Sequence, residues 1–412
     1  MKHIKFIHTA DLHLDSPFVG LKHMPSHLFE KIRESTFQAF TKLVTFAIKE
    51  KIDFVLIAGD LYDGEDRSLK AQLKLKTEFA RLAKVGIEVY IIHGNHDHMS
   101  GKWINIEWPD NVHVFSSEKV ECKEFMKNGS LLAYLYGYSY PTRAVMENMT
   151  KHYVRKDNPS VYHIGMLHGS VEGNKEHDVY SPFKVSELIS KDFDYWALGH
   201  IHKRHVLHHA NPMIAYPGNI QGRHRKETGE KGFYVVELED HEVRTEFIST
   251  EEIIWKEVEV SIEGITTISE LIQKCEQVIF AMKQTNKSTC LTFVLTGIDS
   301  FSTTIYGQDV QEDLVDILND QAKENEYFVW VVKLINQTSQ PRENNPKLEA
   351  FLTDLHKTVE NYQSFDEIIE PLSKHPVFRQ YIEGYTLDER KQLLKDAEQL
   401  LHRELLQNNE LK

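Results

Sequence analysis

The chain has 412 residues, 41% of them apolar and 27% charged, and its 48 Lys and Arg stand against 62 Asp and Glu for a formal net charge of −14. That length exceeds one ordinary core and calls for two or three domains, while the apolar share excludes a disordered or collagen-like chain. Cys122, Cys275 and Cys290 are too few and too scattered for a disulfide framework, and no segment is apolar for long enough to be a signal peptide or a membrane span, so a soluble cytoplasmic protein is expected.

From the N-terminus, short apolar runs alternate with amphipathic stretches. The runs are Ile4–Ile7, Phe54–Ala58, Val89–Ile92, Ile164–Leu167 and Tyr195–Leu198, each with turn residues close behind. Val55-Leu56-Ile57-Ala58 lacks polar alternation, as a strand buried on both faces does. Between the first two runs, Ser26 can cap a helix whose apolar side reads Phe29, Ile32, Phe37, Phe40, Leu43, Val44 and Ala47. A second helix is expected from Leu69 to about Lys84, and short strands and turns from Met213 to Ile248. Strands alternating with helices imply a layered α/β domain over residues 1–250.

A second unit, residues 253–338, reads as a small α+β domain: strand Val258–Ile262, helix Ile268–Lys283, strand Leu291–Thr296, helix Asp309–Lys323 and strand Tyr327–Ile335. Thr267 and Glu270 make a capping box for its first helix. Residues 339–346 form a Pro-flanked linker. The tail, 347–412, is expected to be helical. One stripe comprises Leu348, Phe351, Leu352, Leu355 and Val359; a later one runs from Leu387 to Leu405 behind a Thr386/Glu389 capping box. Two stripes with little core of their own suit a docking surface for a partner helix.

Charge and histidine are unevenly spread. Residues 1–250 carry 32 Lys and Arg against 33 Asp and Glu, whereas residues 251–412 carry 16 against 29. Of the 23 histidines, 20 fall in the first 250 residues. Each apolar run there ends in potential metal ligands: Asp11-Leu12-His13, then Gly59-Asp60-Leu61-Tyr62-Asp63, Gly94-Asn95-His96-Asp97, His168-Gly169 and Gly199-His200-Ile201-His202. Ligands of open α/β sheets gather outside the carboxyl ends of strands, so these five segments can converge. Carboxylate, imidazole and amide donors without thiolate suit manganese, iron or zinc. The donors are too many for one catalytic ion that must keep open positions. Two ions sharing a carboxylate, roughly 3.5–4 Å apart, fit better and would activate a water against a phosphoryl group. The chemistry expected is phosphoester hydrolysis.

The order D-x-H, GD-x-x-D, GNHD, H and GH-x-H resembles that of the calcineurin-like metallophosphoesterases. The opening His8-Thr9-Ala10-Asp11-Leu12-His13-Leu14-Asp15-Ser16-Pro17, with Tyr216-Pro217-Gly218-Asn219 and Gly229-Glu230-Lys231-Gly232-Phe233, is more specifically similar to the SbcD-type DNA repair nuclease subunits and their YhaO-like branch. The resemblance implies a layered metallophosphoesterase sandwich with a small α+β cap and a helical C-terminal tail. It implies that Asp11, His13 and His202 hold one ion and Asn95, His168 and His200 the other, with Asp60 bridging. His96 would protonate the leaving oxygen or stabilise the transition state, with Asp63 orienting it. Manganese as the metal, DNA as substrate, homodimerisation and an SbcC-type coiled-coil ATPase on the C-terminal helices follow in the same way. Lys203, Arg204, Arg223 and Arg225 are candidate phosphate contacts, with Lys226 beside them. Trp103 and Trp108 could stack on bases but are more simply packed in the fold. His8, His93 and His98 match no ligand position and are expected to be structural. A small-molecule phosphodiesterase and a non-catalytic tether are the alternatives.

Overall fold

The structure is a computed structural model. It describes residues 2–338 except 22–23, 65–66, 102, 105, 174–179, 241, 286, 298–307 and 321–326, and further on 346–373, 390–391, 393–395, 397–398 and 400–401. In chain order the first elements are β1 (His3–Thr9), α1 (Ser26–Lys49), β2 (Phe54–Ala58), α2 (Leu69–Ala83), β3 (Glu88–Ile92), β4 (Val112–Val114), β5 (Glu121–Lys127) and β6 (Ser130–Gly137). Then come β7 (Tyr162–His168), α3 (Val185–Ile189), β8 (Tyr195–Gly199), β9 (His205–His208), β10 (Met213–Tyr216), β11 (Gly232–Glu239) and β12 (Glu242–Ser249). The remainder are β13 (Ile253–Ser261), α4 (Ile268–Lys283), β14 (Ser288–Thr296), α5 (Gln308–Asn319), β15 (Val329–Asn336), α6 (Pro346–Glu360) and α7 (Phe365–Ser373). By contact the chain divides into two compact units, with residues 1–172 and 179–340 in one and residues 341–412 in the other.

Two six-stranded sheets, ordered β12-β11-β1-β2-β3-β4 and β5-β6-β7-β8-β10-β9, form the layered α/β body of the first unit. In the first sheet β1, β2, β3 and β4 are parallel, and in the second β6, β7, β8 and β10 are parallel. The sheets pack face to face through Phe6, Phe54, Leu56 and Ile92 from one and Leu135, Ile164, Tyr195 and Ala197 from the other. The outer face of the first sheet is covered by α1 and α2, through Phe37, Phe40, Leu43, Leu75 and Phe79. The outer face of the second is covered by Tyr140, Tyr153, Phe183 and Leu188 around Trp196. With both faces covered, β2 is buried at every position, as its unbroken apolar run requires. The layered body and both long helices agree with expectation, except that the N-cap of α1 is Pro25 and no side chain caps it. Proline fixes φ ahead of the first turn, so Ser26 is simply the first helical residue.

Residues 253–336 form a third, parallel sheet, β13-β14-β15, with α4 and α5 as its crossovers. One face packs on those helices through Leu271, Cys275, Phe293 and Leu314. The other packs on Phe18, Leu21, Leu28 and Ile32 through Trp255, Cys290 and Trp330. The Thr267/Glu270 capping box is present with both its bonds. In the second unit α6 follows the first tail stripe, and α7 lies between the two stripes within the tail expected to be helical and accommodates Pro371. Residues 339–345 of the expected linker, with Leu387 and Leu405 of the later stripe, lie outside the described residues, while Leu393, Leu394, Ala397, Leu400 and Leu401 of that stripe are helical. No described helix is long and apolar enough to cross a membrane.

Phe54 sits where the two sheets meet, fully buried, with ring centroids 4.9 Å from Phe6 and 4.6 Å from Phe125. Phe54→Ala should cost about 3–5 kcal/mol, read as a lower urea midpoint at unchanged slope.

Candidate metal centre

The five ligand-bearing segments leave the carboxyl ends of β1, β2, β3, β7 and β8, and backbone bonds lace their tips together. Asp11 N–H donates to the Gly59 carbonyl at 3.0 Å, His13 N–H to that of Asp60 at 3.0 Å, and Leu14 N–H to that of Leu61 at 3.0 Å. His200 N–H donates to the Asp11 carboxylate at 3.0 Å, and His96 N–H to Asp60 Oδ1 at 3.0 Å. So close an approach needs glycine. A Cβ at Gly94 would collide with Asp60 Oδ1, and one at Gly199 with the Ala58 carbonyl oxygen. Asp11, His13, Asp60 and His200 all have left-handed backbone, with φ of 52°, 41°, 54° and 98°. Non-glycine residues rarely adopt it, and such strain collects at functional sites.

Asp11, His13, Asp60 and His202 present ligand atoms all within 4.8 Å of one another. Asn95 Oδ1 lies 3.0 Å from His168 Nε2 and 3.2 Å from His200 Nδ1, and His168 Nε2 lies 3.4 Å from Asp60 Oδ2. The seven expected ligands therefore crowd one pocket, with Asp60 between two groups.

The donor chemistry fits cations. His202 Nδ1 bonds Glu227 Oε1 at 2.7 Å, and His13 Nδ1 faces Asp63 Oδ1 at 3.4 Å. The Glu227 carboxylate accepts the proton of His202 Nδ1, which leaves His202 Nε2 with a lone pair turned inward, 3.0 Å from His13 Nε2 and free for a cation. Burial, reinforced by the Arg223 charge, pushes both imidazoles below the ordinary histidine value and keeps them neutral. Burial also pushes the Asp11 carboxyl up to about 7, against the pull of His168. Such a carboxylate regains its charge readily next to a cation. Burial works against charge on Asp60 and His168 as well, yet their mutual attraction wins, holding the carboxyl well below its usual range and lifting the imidazole to about 9. There an imidazolium proton answers the same acceptors that would bind a metal.

His96 is partly exposed beside this pocket, its ring 4.9 Å from that of His13. Its Nδ1 lies 2.9 Å from the Asp63 backbone carbonyl. The expected Asp63–His96 contact thus runs through the main chain. The Asp63 carboxylate is drawn the other way, towards His13 Nδ1 and into an ion pair with the Arg223 guanidinium. Arg223 accordingly lies within the site with a side chain only 13% exposed, not on a free basic loop. Lys203 is exposed and Arg225 partly buried, while Arg204 lies 4.0 Å over the Phe247 ring and pairs with Glu230 at 3.2 Å. Trp103 is covered by the Arg67 guanidinium at 3.4 Å, and Trp108 packs edge-on against Phe79. His8 bonds Tyr195 and the Leu198 carbonyl, and His93 bonds Asp97, as structural histidines do.

Two supporting carboxylates escaped the motif-based reading of roles. Glu227 lies in the charged stretch Arg223-His224-Arg225-Lys226-Glu227, where no spacing distinguishes it. Asp97, visible only as the last letter of GNHD, ties its own loop to the tip of β2: its carboxylate accepts from Leu61 N–H at 2.9 Å, Gly94 N–H at 2.7 Å and His93 Nδ1 at 2.9 Å. Burial opposes its charge, but the His93 interaction prevails and holds its carboxyl below the ordinary 3.8. A depressed carboxyl stabilises the fold above its unfolded value and loses that contribution as pH falls through the folded one. Asp97→Asn should therefore cost roughly 2–4 kcal/mol at neutral pH. In urea titrations across pH, its deficit against wild type should shrink below the ordinary aspartate value of 3.8.

Residues 4–204 match the family described as calcineurin-like phosphoesterase, and this span contains all seven candidate ligands with Asp63 and His96. The chain is 40% identical over 98% of its length to the uncharacterized metallophosphoesterase YhaO of Bacillus subtilis, covering 98% of that protein. It is 27% identical to the D component of the SbcCD nuclease of Staphylococcus epidermidis, over 72% of this chain and 79% of that one. To the DNA double-strand break repair protein Mre11 of Methanocaldococcus jannaschii it is 26% identical, over 66% of this chain and 73% of that one. Ordered ligand blocks on strand ends, a two-sheet body and a relative matched from end to end agree: the chain belongs to the calcineurin-like phosphoesterases.

Proposed function

We propose that this phosphoesterase is a two-metal DNA nuclease that hydrolyses phosphodiester bonds and works with a coiled-coil ATPase in DNA repair. The observation that carries the hydrolytic part is the pocket itself, where seven nitrogen and oxygen donors face inward around Asp60 with His96 at the rim. DNA as the substrate is supported by the similarity to the SbcCD nuclease component and to Mre11.

Asp11, His13 and His202 would hold one ion and Asn95, His168 and His200 the other, with Asp60 shared. When bound, two divalent cations, manganese in this reading, supply a clamp for the phosphoryl oxygens and acidify a water. The chain's own residues do the rest. The Asp63 carbonyl can only accept, so His96 carries a proton on Nδ1 and turns Nε2 to the substrate. In its protonated form that edge donates to the leaving oxygen. The left-handed turns at Asp11, His13 and Asp60 hold their side chains in place before substrate arrives.

In a manganese-supplemented assay, His96→Ala should bind metal normally and cleave DNA roughly 10²–10⁴-fold more slowly. Duplex DNA, single-stranded DNA and a small phosphodiester should be compared side by side. A wild type with full manganese occupancy that spares both DNAs and hydrolyses only the small ester would refute the substrate assignment.

The ATPase partner is supported by apolar surface on the second unit, where Phe351 of α6 is 51% exposed and Ile368 and Leu372 of α7 are 62% and 57% exposed. Truncation at Asn344 should abolish co-purification with an SbcC-type ATPase and leave metal-dependent hydrolysis intact. Undiminished co-purification would count against it.

A further inference from the structure

We propose that Asp63, Arg223 and Glu227 form an outer strap that fixes the imidazoles of one ion position, His13 and His202, and makes that position the tighter of the two. Glu227 and Arg223 act here as positioning residues.

Glu227 is 7% exposed, and its carboxylate is fully engaged. Oε1 accepts from His202 Nδ1 at 2.7 Å, while Oε2 accepts from Asn219 Nδ2 at 2.7 Å and from Arg223 N–H at 2.7 Å. Asp63 faces His13 more loosely, with Oδ1 3.4 Å from Nδ1 and no hydrogen bond between them. The Arg223 guanidinium joins the two carboxylates: it pairs with Asp63 and lies 3.6 Å from Glu227 Oε1. One largely enclosed cation thereby sits between a buried and a partly exposed anion that would otherwise repel.

The strap has a firm base. Gln221 Oε1 accepts from Glu252 N–H at 2.8 Å and Ile253 N–H at 3.2 Å, its Nε2 donates to the Ile253 carbonyl at 2.7 Å, and Trp255 Nε1 donates to the Gly222 carbonyl at 2.8 Å. The loop is thus sewn to the start of β13.

The other ion position is backed differently: His168 Nδ1 lies 2.9 Å from the Ala58 carbonyl, a neutral oxygen. Imidazoles held by carboxylates are more basic and better oriented ligands than those held by neutral oxygens. The strapped position also has Asp11 where its neighbour has the neutral Asn95.

This assignment rests on the two-ion reading above and is independent of DNA being the substrate. Its test is titration of the full chain with Mn(II) alone, by calorimetry and electron paramagnetic resonance. Wild type should take two ions, one tightly. Glu227→Gln, which keeps the shape, should weaken the tight ion roughly 10–100-fold and leave the other unchanged. The same loss should appear on a His168→Ala background and vanish on a His202→Ala background, since Glu227 then has no ring to position. A general structural defect would persist on both. Equal loss at both positions, or none at either, overturns the strap. Should Glu227→Gln fail to fold, Arg223→Met reads the same strap, with loss at one position supporting it and equal loss refuting it. A wild type that takes fewer than two ions sinks the two-ion reading and this assignment together.

Discussion

A carboxylate 1% exposed has to be answered by positive charge or by N–H groups, and Asp60 is answered by two other chain segments. His96 N–H reaches one oxygen at 3.0 Å, while the His168 ring stands 3.4 Å from the other. The remaining architecture serves that convergence. The two sheets set the carboxyl ends of β2, β3, β7 and β8 opposite one another, and glycines let the tips touch. Burial strips water from the donors and makes every interaction among them stronger. The same burial makes the group costly to leave unanswered, and the site accordingly lies where short loops meet at the strand ends of the two-layer body.

Much of this was legible in the amino-acid order, because spacing and chemistry coincide. A strand buried on both faces leaves an apolar run, and a metal-binding strand end leaves Asp, Asn or His beside Gly. The capping box at Thr267 and the helix from Ile268 to Lys283 were readable for the same local reason. Features set by tertiary partners were not. Asp63 sits in its motif, but the direction of its carboxylate depends on Arg223, 160 residues away. Glu227 belongs to a charged stretch that resembles any solvated loop until the fold buries it against His202.

Of the basic residues that are candidates for phosphate contact, Arg223 and Arg204 are committed to carboxylates or rings, Arg225 is partly buried, and Lys203 and Lys226 are exposed. A chain of net charge −14 repels a polyanion at long range. Cations held in the pocket would reverse the local field where the chemistry occurs. Catalytic attraction and bulk binding are thus separable here. The first belongs to a neutral, histidine-rich region, and the second would have to come from another surface or another protein.

A similar separation holds within the pocket. The supporting carboxylates are buried and braced by several hydrogen bonds apiece, as Asp97 and Glu227 illustrate. His96 instead combines a backbone tether at Nδ1 with partial exposure of its ring. A group that must exchange protons with substrate and solvent benefits from that access, whereas a ligand would lose geometric definition by it. The backbone carbonyl orients the ring without placing a further negative charge against it. Asp63 thus meets two imidazoles through different groups, His96 through its main-chain carbonyl at 2.9 Å and His13 across 3.4 Å from its carboxylate.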